Sequence, residues 1–261
     1  MYGIDMSGKT AVVAGVANKW SIAWGIAPVL HQAGYQLVLP YLSDREKSGI
    51  EKLVSSAGLD NVVIPPDPCN ASNDDDIDRL FSFVKESTGR VDAFAHCMAF
   101  APPEALQGDF SATSREAYRI AMDISAYSFV AMTQRASELM TDGGGVVTMT
   151  FMASEKVFPH YNVMGSAKAA LEHAVRQLAF ELGPKNIRVN TISAGPISTV
   201  SARGVSGFLD FLDTYKERAP LRRGVTQEEV GKTALYLLSD MASGVTGEVI
   251  HVDAGYNVMG I

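Results

Sequence analysis

The chain of 261 residues has only two cysteines, two tryptophans and no apolar stretch long enough to span a bilayer. Cys69 and Cys97 stand far apart, which offers neither a disulfide framework nor a metal-ligand spacing, so both are expected to be free thiols. The first residues, Met1-Tyr2-Gly3-Ile4-Asp5, lack a basic n-region and an apolar h-region; no secretory signal is expected, and a cytoplasmic address without a membrane partner follows. Cations are also scarce. Lys and Arg number 22 against 29 Asp and Glu, a net charge of −7 that is opposite to what nucleic-acid binding needs. Small-molecule chemistry is expected instead.

What is present is an ordinary globular balance, 47% hydrophobic and 20% charged, at a length that α/β proteins often fold as one domain. Apolar, β-branched runs at Thr10–Ala14, Gln36–Tyr41, Asn61–Ile64, Ala93–His96, Gly145–Thr150, Arg188–Ser193 and Glu248–Val252 predict about seven strands. Helical spacing with plausible caps falls between them, at Ser21–Ala33, Ser43–Ala57, Asn73–Ser87, Ser114–Glu138, Tyr161–Leu182 and Gln227–Leu238. This alternation, without linker or repeat, predicts a Rossmann-like doubly wound parallel sheet with helices on both faces, in a single domain over residues 1–261. Asp74-Asp75-Asp76 follow Ser72 and Asn73 and are expected to cap a helix and favour its dipole; no metal site is expected.

After the first strand, Gly15-Val16-Ala17-Asn18-Lys19-Trp20-Ser21-Ile22-Ala23-Trp24-Gly25 turns into a helix whose free N–H groups can face a phosphate. The glycine spacing is not the plain G-x-G-x-x-G, and an ordinary βα turn is the alternative. Its position on the first strand, with Ser21 placed to cap the helix or meet a phosphate oxygen, favours a dinucleotide pyrophosphate. Pro28, inside the helix, has no functional account. Past the second strand, Tyr41-Leu42-Ser43-Asp44-Arg45 puts no cation at Leu42 or Ser43, which favours NADH, while Arg45 keeps NADPH open.

Tyr161 and Lys168 stand seven positions apart in a predicted helix, which at ~100° per residue returns them to nearly one face. A lysine there can bind ribose hydroxyls and, through its field, lower the pKa of a proton-donating phenol. Without the glycine loop, a surface lysine and a half-buried tyrosine would be the better account.

Tyr161 through Lys168 resembles the Tyr-x6-Lys signature of the enoyl-acyl-carrier-protein reductases of the short-chain dehydrogenase superfamily; there is no Tyr-x3-Lys of the ordinary dehydrogenases. Gly15 to Gly25 looks like that family's Gly-x5-Ser-Ile-Ala-x-Gly turn, and Asp123–Phe129, Arg188–Ile197 and Gly247–Asp253 resemble its further segments in family order. The resemblance covers nearly the whole chain. It implies reduction of trans-2-enoyl-acyl-carrier-protein thioesters by hydride from NADH in type II fatty acid synthesis, with Tyr161 as donor to the enolate oxygen and Lys168 as ribose ligand. Gly15, Ser21, Ile22, Leu42, Asn70, Ala71, Met98, Ile197, Ser198, Thr199, Val200 and Ser201 match cofactor-contacting positions, and Ala101 a substrate-side one. The family is usually tetrameric, so a homotetramer is implied.

Three departures stand out. Phe151 occupies the place of a second family tyrosine, ten residues before Tyr161, and keeps the ring without the hydroxyl. Ala99 replaces a glycine after the fourth strand, where its methyl would narrow the pocket. Pro65 to Ala71 is longer than usual, so the adenine contact falls on Asn70 when aligned from the following helix and on Asp67 when aligned from the preceding strand; Asn70 is preferred.

The long connection 197–219 carries Phe208, Phe211, Leu212 and Tyr215 on one helical face, which predicts a substrate lid with Phe208 and Phe211 over the acyl chain. Lys216, Arg218, Arg222 and Arg223 gather beside it, a docking surface for the acidic acyl carrier protein or plain solvated charge. Ile120–Met132 and Ala169–Leu182 could supply helix interfaces or core. Two rivals remain. Thr148, thirteen residues before Tyr161, suits a short-chain carbonyl or 3-oxoacyl reductase, and Phe151 suits a catalytically weak nucleotide-binding paralogue.

Overall fold

A computed structural model describes residues 4–203 and 208–260, the side chains of 201, 203 and 208–210 excepted. Among them, seven strands form one parallel sheet: β1 (Thr10–Ala14), β2 (Gln36–Val38), β3 (Val62–Val63), β4 (Ala93–His96), β5 (Gly144–Thr150), β6 (Ile187–Ala194) and β7 (Val249–Val252). Their order is β3-β2-β1-β4-β5-β6-β7, so the winding reverses between β1 and β4. A crevice outside the carboxyl ends of these two strands is where such sheets bind ligands. β2 and β3 are shorter than their apolar runs. Pro40 has no N–H to continue the ladder after β2, and Pro65-Pro66 does the same after β3.

Helices cover both faces: α1 (Ile22–Gln32), α2 (Asp44–Ala57), α3 (Asp74–Thr88), α4 (Arg115–Met122), α5 (Ser128–Glu138), α6 (Val163–Leu182), α7 (Val200–Arg203), α8 (Phe208–Arg218) and α9 (Gln227–Leu238). Strand side chains alternate between two cores. Val12, Phe94, Val146 and Val189 join Phe81, Phe129, Met132 and Leu171 from α3, α5 and α6, while Ala11, Val13, Val147 and Ile192 join Ile26, Leu30, Val230 and Leu237 from α1 and α9. The caps follow the sequence: Asn73 Oδ1 accepts N–H from Asp75 and Asp76, confirming the Asp74–Asp76 run as helix start. Thr226 and Glu229 form a capping box on α9.

Gly25 serves packing. A Cβ on it would lie 2.4 Å from Gln227 Cβ, and one on Gly231 would lie 2.3 Å from Gly25 O, so α1 and α9 meet backbone to backbone. Two helical expectations are corrected. The segment Ser114–Glu138 is α4 and α5 joined by a π-turn at Asp123–Tyr127. Ser128 Oγ donates to Ile124 O at 2.7 Å there and competes for the ladder, while Ser125 Oγ accepts the N–H of Phe100 in the loop after β4 at 2.9 Å. Tyr161 precedes α6 instead of opening it, because His160 and Asn162 take φ of +66° and +41°, outside the right-handed helical range.

Candidate active site

Gly15 (after β1), Met98 (after β4), Phe151 (after β5) and Ile197–Ser201 (after β6) all lie at the carboxyl edge of the sheet. Gly15 has φ +102°, and a Cβ there would meet the Cys97 carbonyl oxygen at 2.5 Å and Met98 Cγ at 3.3 Å; glycine lets the β1 turn approach the β4 turn. Of the two expectations for Ser21, capping of α1 is not met. Its Oγ accepts the N–H groups of Ala17 at 3.1 Å and Asn18 at 2.9 Å and donates to Asn18 O at 2.8 Å, folding the loop without capping α1. The Ile22 and Ala23 N–H groups consequently have no acceptor among the described residues.

The half-buried Tyr161 packs in a cluster with Ala101, Ala105, Ala117, Ala121, Val163 and Met164, which brings together two of the four residues expected on the substrate side. Its hydroxyl makes no hydrogen bond among the described residues, and loss of contact with water holds the phenol well above its ordinary pKa. The Phe151 ring lies 5.2 Å edge-on from the Tyr161 ring, 4.7 Å from Phe158 and 6.4 Å from Phe211. Phe211, on α8, also meets Phe158 at 5.3 Å, Tyr215 at 6.0 Å and Tyr256 at 6.5 Å. The predicted lid is therefore two helices, one of which is tied by an aromatic contact to the tyrosine's neighbour. The lid sequence 204–207 and the Phe208 and Ser201 side chains lie outside the described residues. The expected apolar face is divided: Tyr215 turns into the protein, 2% exposed, and stacks on Tyr256 at 4.3 Å.

Lys168 is 5% exposed, and its Nζ donates to Met149 O at 2.7 Å. An ammonium has three donors, so two remain for a ligand. Burial pushes its pKa down to about 8, against the opposing pull of Cys97 and Glu172. Glu172, four residues on and 5% exposed, accepts from Thr150 Oγ1 at 2.6 Å and is a buried counter-charge that sequence inspection passed over; its i,i+4 spacing from Lys168 was the available signal. Also missed were Ser125, which holds the loop at Phe100, and the buried His96, whose imidazole meets Ser128 Oγ at 2.8 Å and Thr148 Oγ1 at 3.2 Å. Burial first, then the Lys168 charge, lowers His96 to about 3 and keeps it neutral. Thr148 is wholly buried with its hydroxyl donating to His96 O at 3.1 Å, so it is a strand residue and the carbonyl-reductase rival loses its support.

At the other end of the crevice, Leu42 is exposed and its N–H donates to Glu46 Oε2 at 2.8 Å. Asn70 is exposed and fixed by an Asx turn, Oδ1 accepting Ser72 N–H at 3.1 Å, with Ala71 nearly buried behind it; Asp67 is exposed. Thr199 Oγ1 accepts the Ala202 N–H at 3.0 Å, fixing the turn into α7, with Ile197 against the core and Val200 exposed. Beside α8 the basic cluster is partly neutralised. Lys216 pairs with Asp213 at 3.1 Å, Arg223 with Glu229 at 2.7 Å, and Arg222 donates to the Glu217 carbonyl; Arg218 is exposed. The leftover donors at Ile22, Ala23 and Lys168 suit the pyrophosphate and ribose of a dinucleotide, while the apolar and aromatic walls from Ala101 to Phe211 suit an acyl chain.

The family described as Enoyl-(Acyl carrier protein) reductase matches residues 15–257. An enoyl-[acyl-carrier-protein] reductase [NADH] of Bacillus cereus is 48% identical over 256 residues, covering 98% of this chain and 99% of that protein. An enoyl-[acyl-carrier-protein] reductase [NADPH] of Staphylococcus aureus is 46% identical, covering 98% and 99%. Among solved structures, the Bacillus cereus enoyl-acyl carrier protein reductase with NADP+ and indole naphthyridinone superposes with a TM-score of 0.95 at 47% identity, over 98% of this chain and all (100%) of that one.

Proposed function

The chain belongs to the enoyl-acyl-carrier-protein reductase family, and from that premise we propose that it reduces trans-2-enoyl thioesters of acyl carrier protein in fatty acid synthesis, with NADH or NADPH as hydride source. The bound dinucleotide supplies a hydride to C3 of the enoyl group, whose π electrons move to the thioester oxygen. Tyr161 meets that developing charge. Its phenol keeps its proton at neutral pH, has no competing acceptor among the described residues, and shares a cluster with Ala101 on the substrate side; this observation carries the proposal.

Lys168 holds the ribose hydroxyls with its two unused donors and is kept in place by the Met149 carbonyl. Gly15, Ser21 and Ile22 cradle the pyrophosphate, Leu42, Asn70 and Ala71 border the adenosine half, and Met98 with Ile197–Ser201 flank the nicotinamide. Phe151 supplies a ring wall without a proton, packed edge-on against Tyr161 and Phe211. Residues 1–261 act as one reductase domain, with 197–219 as lid and Phe208 and Phe211 as its substrate-binding residues.

Exposed cations Lys216, Arg218 and Arg222 beside the lid are the docking side for acidic acyl carrier protein. No helix among the described residues is long and apolar enough to cross a membrane, and a cytoplasmic place of action is part of the proposal. So is a homotetramer, supported by an outward depression on α4, the π-turn, α5 and α6 in which Tyr118, Met122, Tyr127 and Val130 stand beside the charged Arg119 and Asp123. NADH loss followed with crotonyl and with acetoacetyl thioester tests the chemistry. Turnover of the first alone is expected; turnover of the second alone would contradict it.

A further inference from the structure

We propose that Glu46 is the residue through which this protein selects NADH over NADPH, an inference that rests on the reductase assignment above. The family contains reductases named for either cofactor, so membership leaves the choice open. In a doubly wound sheet the two cofactors are told apart just beyond the carboxyl end of the second strand, where an acidic residue binds the ribose 2′-hydroxyl and a cation accommodates a 2′-phosphate. Here that place is the turn from β2 into α2.

At this turn the Glu46 side chain folds back over the start of α2. Its Oε2 accepts the Leu42 N–H at 2.8 Å, while its own N–H donates to the Ser43 Oγ at 3.4 Å. The carboxylate thus occupies the backbone donor that a phosphate would need and places a fixed negative charge beside it. A 2′-hydroxyl can donate to the free lone pairs of Glu46; a 2′-phosphate at neutral pH has too few protons to do so and is repelled.

The neighbouring charges do not reverse this. Asp44, exposed in the same first turn, adds a second negative charge. Lys47 is drawn aside over the Tyr41 ring, 5.6 Å from its centroid. Arg45 is exposed and pairs with no carboxylate among the described residues, so its guanidinium is solvated and screened.

Calorimetric titration of the full-length protein with NAD+ and with NADP+ tests the proposal without turnover. Wild type is expected to bind NAD+ more tightly. Glu46→Gln keeps the hydrogen bond to Leu42 and removes the charge, and should lower the NADP+/NAD+ ratio of dissociation constants roughly tenfold, the size of one nearby charge in a partly solvated site. Arg45→Gln should leave or raise that ratio. A Glu46→Gln ratio within twofold of wild type, or a wild type that prefers NADP+, overturns the role of Glu46 while leaving the reductase assignment standing. Failure of wild type to bind either dinucleotide overturns both.

Discussion

Lys168 offers the sharpest pH test, because its environment sets both the direction and the position of the change. Burial lowers its pKa from 10.5 to about 8, whereas burial of Tyr161 moves the phenol upward and out of the working range. Only the ammonium donates all three protons, so ribose binding should fade as pH rises through about 8. At one pH unit above that value about a tenth of the ammonium is left, so kcat/KM for crotonyl thioester should fall roughly tenfold between pH 7 and pH 9. Lys168→Arg keeps its charge beyond that range and should give a lower but flat profile.

The same shift predicts a stability change of known sign. The unfolded lysine binds its proton up to 10.5 and the folded one only up to about 8, so the buried charge costs stability below pH 8 and the cost disappears as pH rises across that window. A shift of this size corresponds to ~3 kcal/mol. Lys168→Met should therefore resist urea better than wild type at pH 7 and lose most of that advantage by about pH 10. A wild-type kcat/KM that stays flat to pH 10, or a Lys168→Arg profile with the same alkaline limb, would refute this account of Lys168.

Gly25→Ala forces a methyl to 2.4 Å from Gln227 Cβ, so α1 and α9 must separate, and a loss of about 2–3 kcal/mol in urea unfolding is expected. Phe211→Ser removes the ring that meets Phe151 and Phe158 and should raise KM severalfold for long enoyl chains with little change for crotonyl thioester; equal effects on both lengths would count against the lid. Phe151→Tyr restores a hydroxyl to a ring packed against the Phe158 and Tyr161 rings, and kcat should change by less than about threefold.

The sheet was legible because its strands are continuous apolar runs separated by capped, periodic helices; the strand order, and with it the switch point, came only with the structure. The glycine loop and the Tyr161–Lys168 pair were legible as motifs. Their mechanics were not. Ser21 looks like a cap by position, but its hydroxyl satisfies the Ala17 and Asn18 N–H groups first. Tyr161 lies at helical spacing from Lys168, yet the positive φ at His160 and Asn162 delays the helix to Val163. At the π-turn Asp123–Tyr127, Ser128 Oγ bonds the local Ile124 carbonyl, but Ser125 Oγ reaches Phe100, a partner that only the tertiary arrangement supplies. Likewise, the cations in and after α8 could be a docking patch or solvated charge by sequence, and the pairing of two of them with Asp213 and Glu229 is visible only in the structure.

The central claim is that one phenol proton meets the charge that builds on the thioester oxygen. Single-turnover reduction of crotonyl thioester by Tyr161→Phe, at saturating NADH, addresses it directly. A rate lower by about 10²–10³ with the dinucleotide still bound is predicted. Reduction as fast as in the wild type would contradict it.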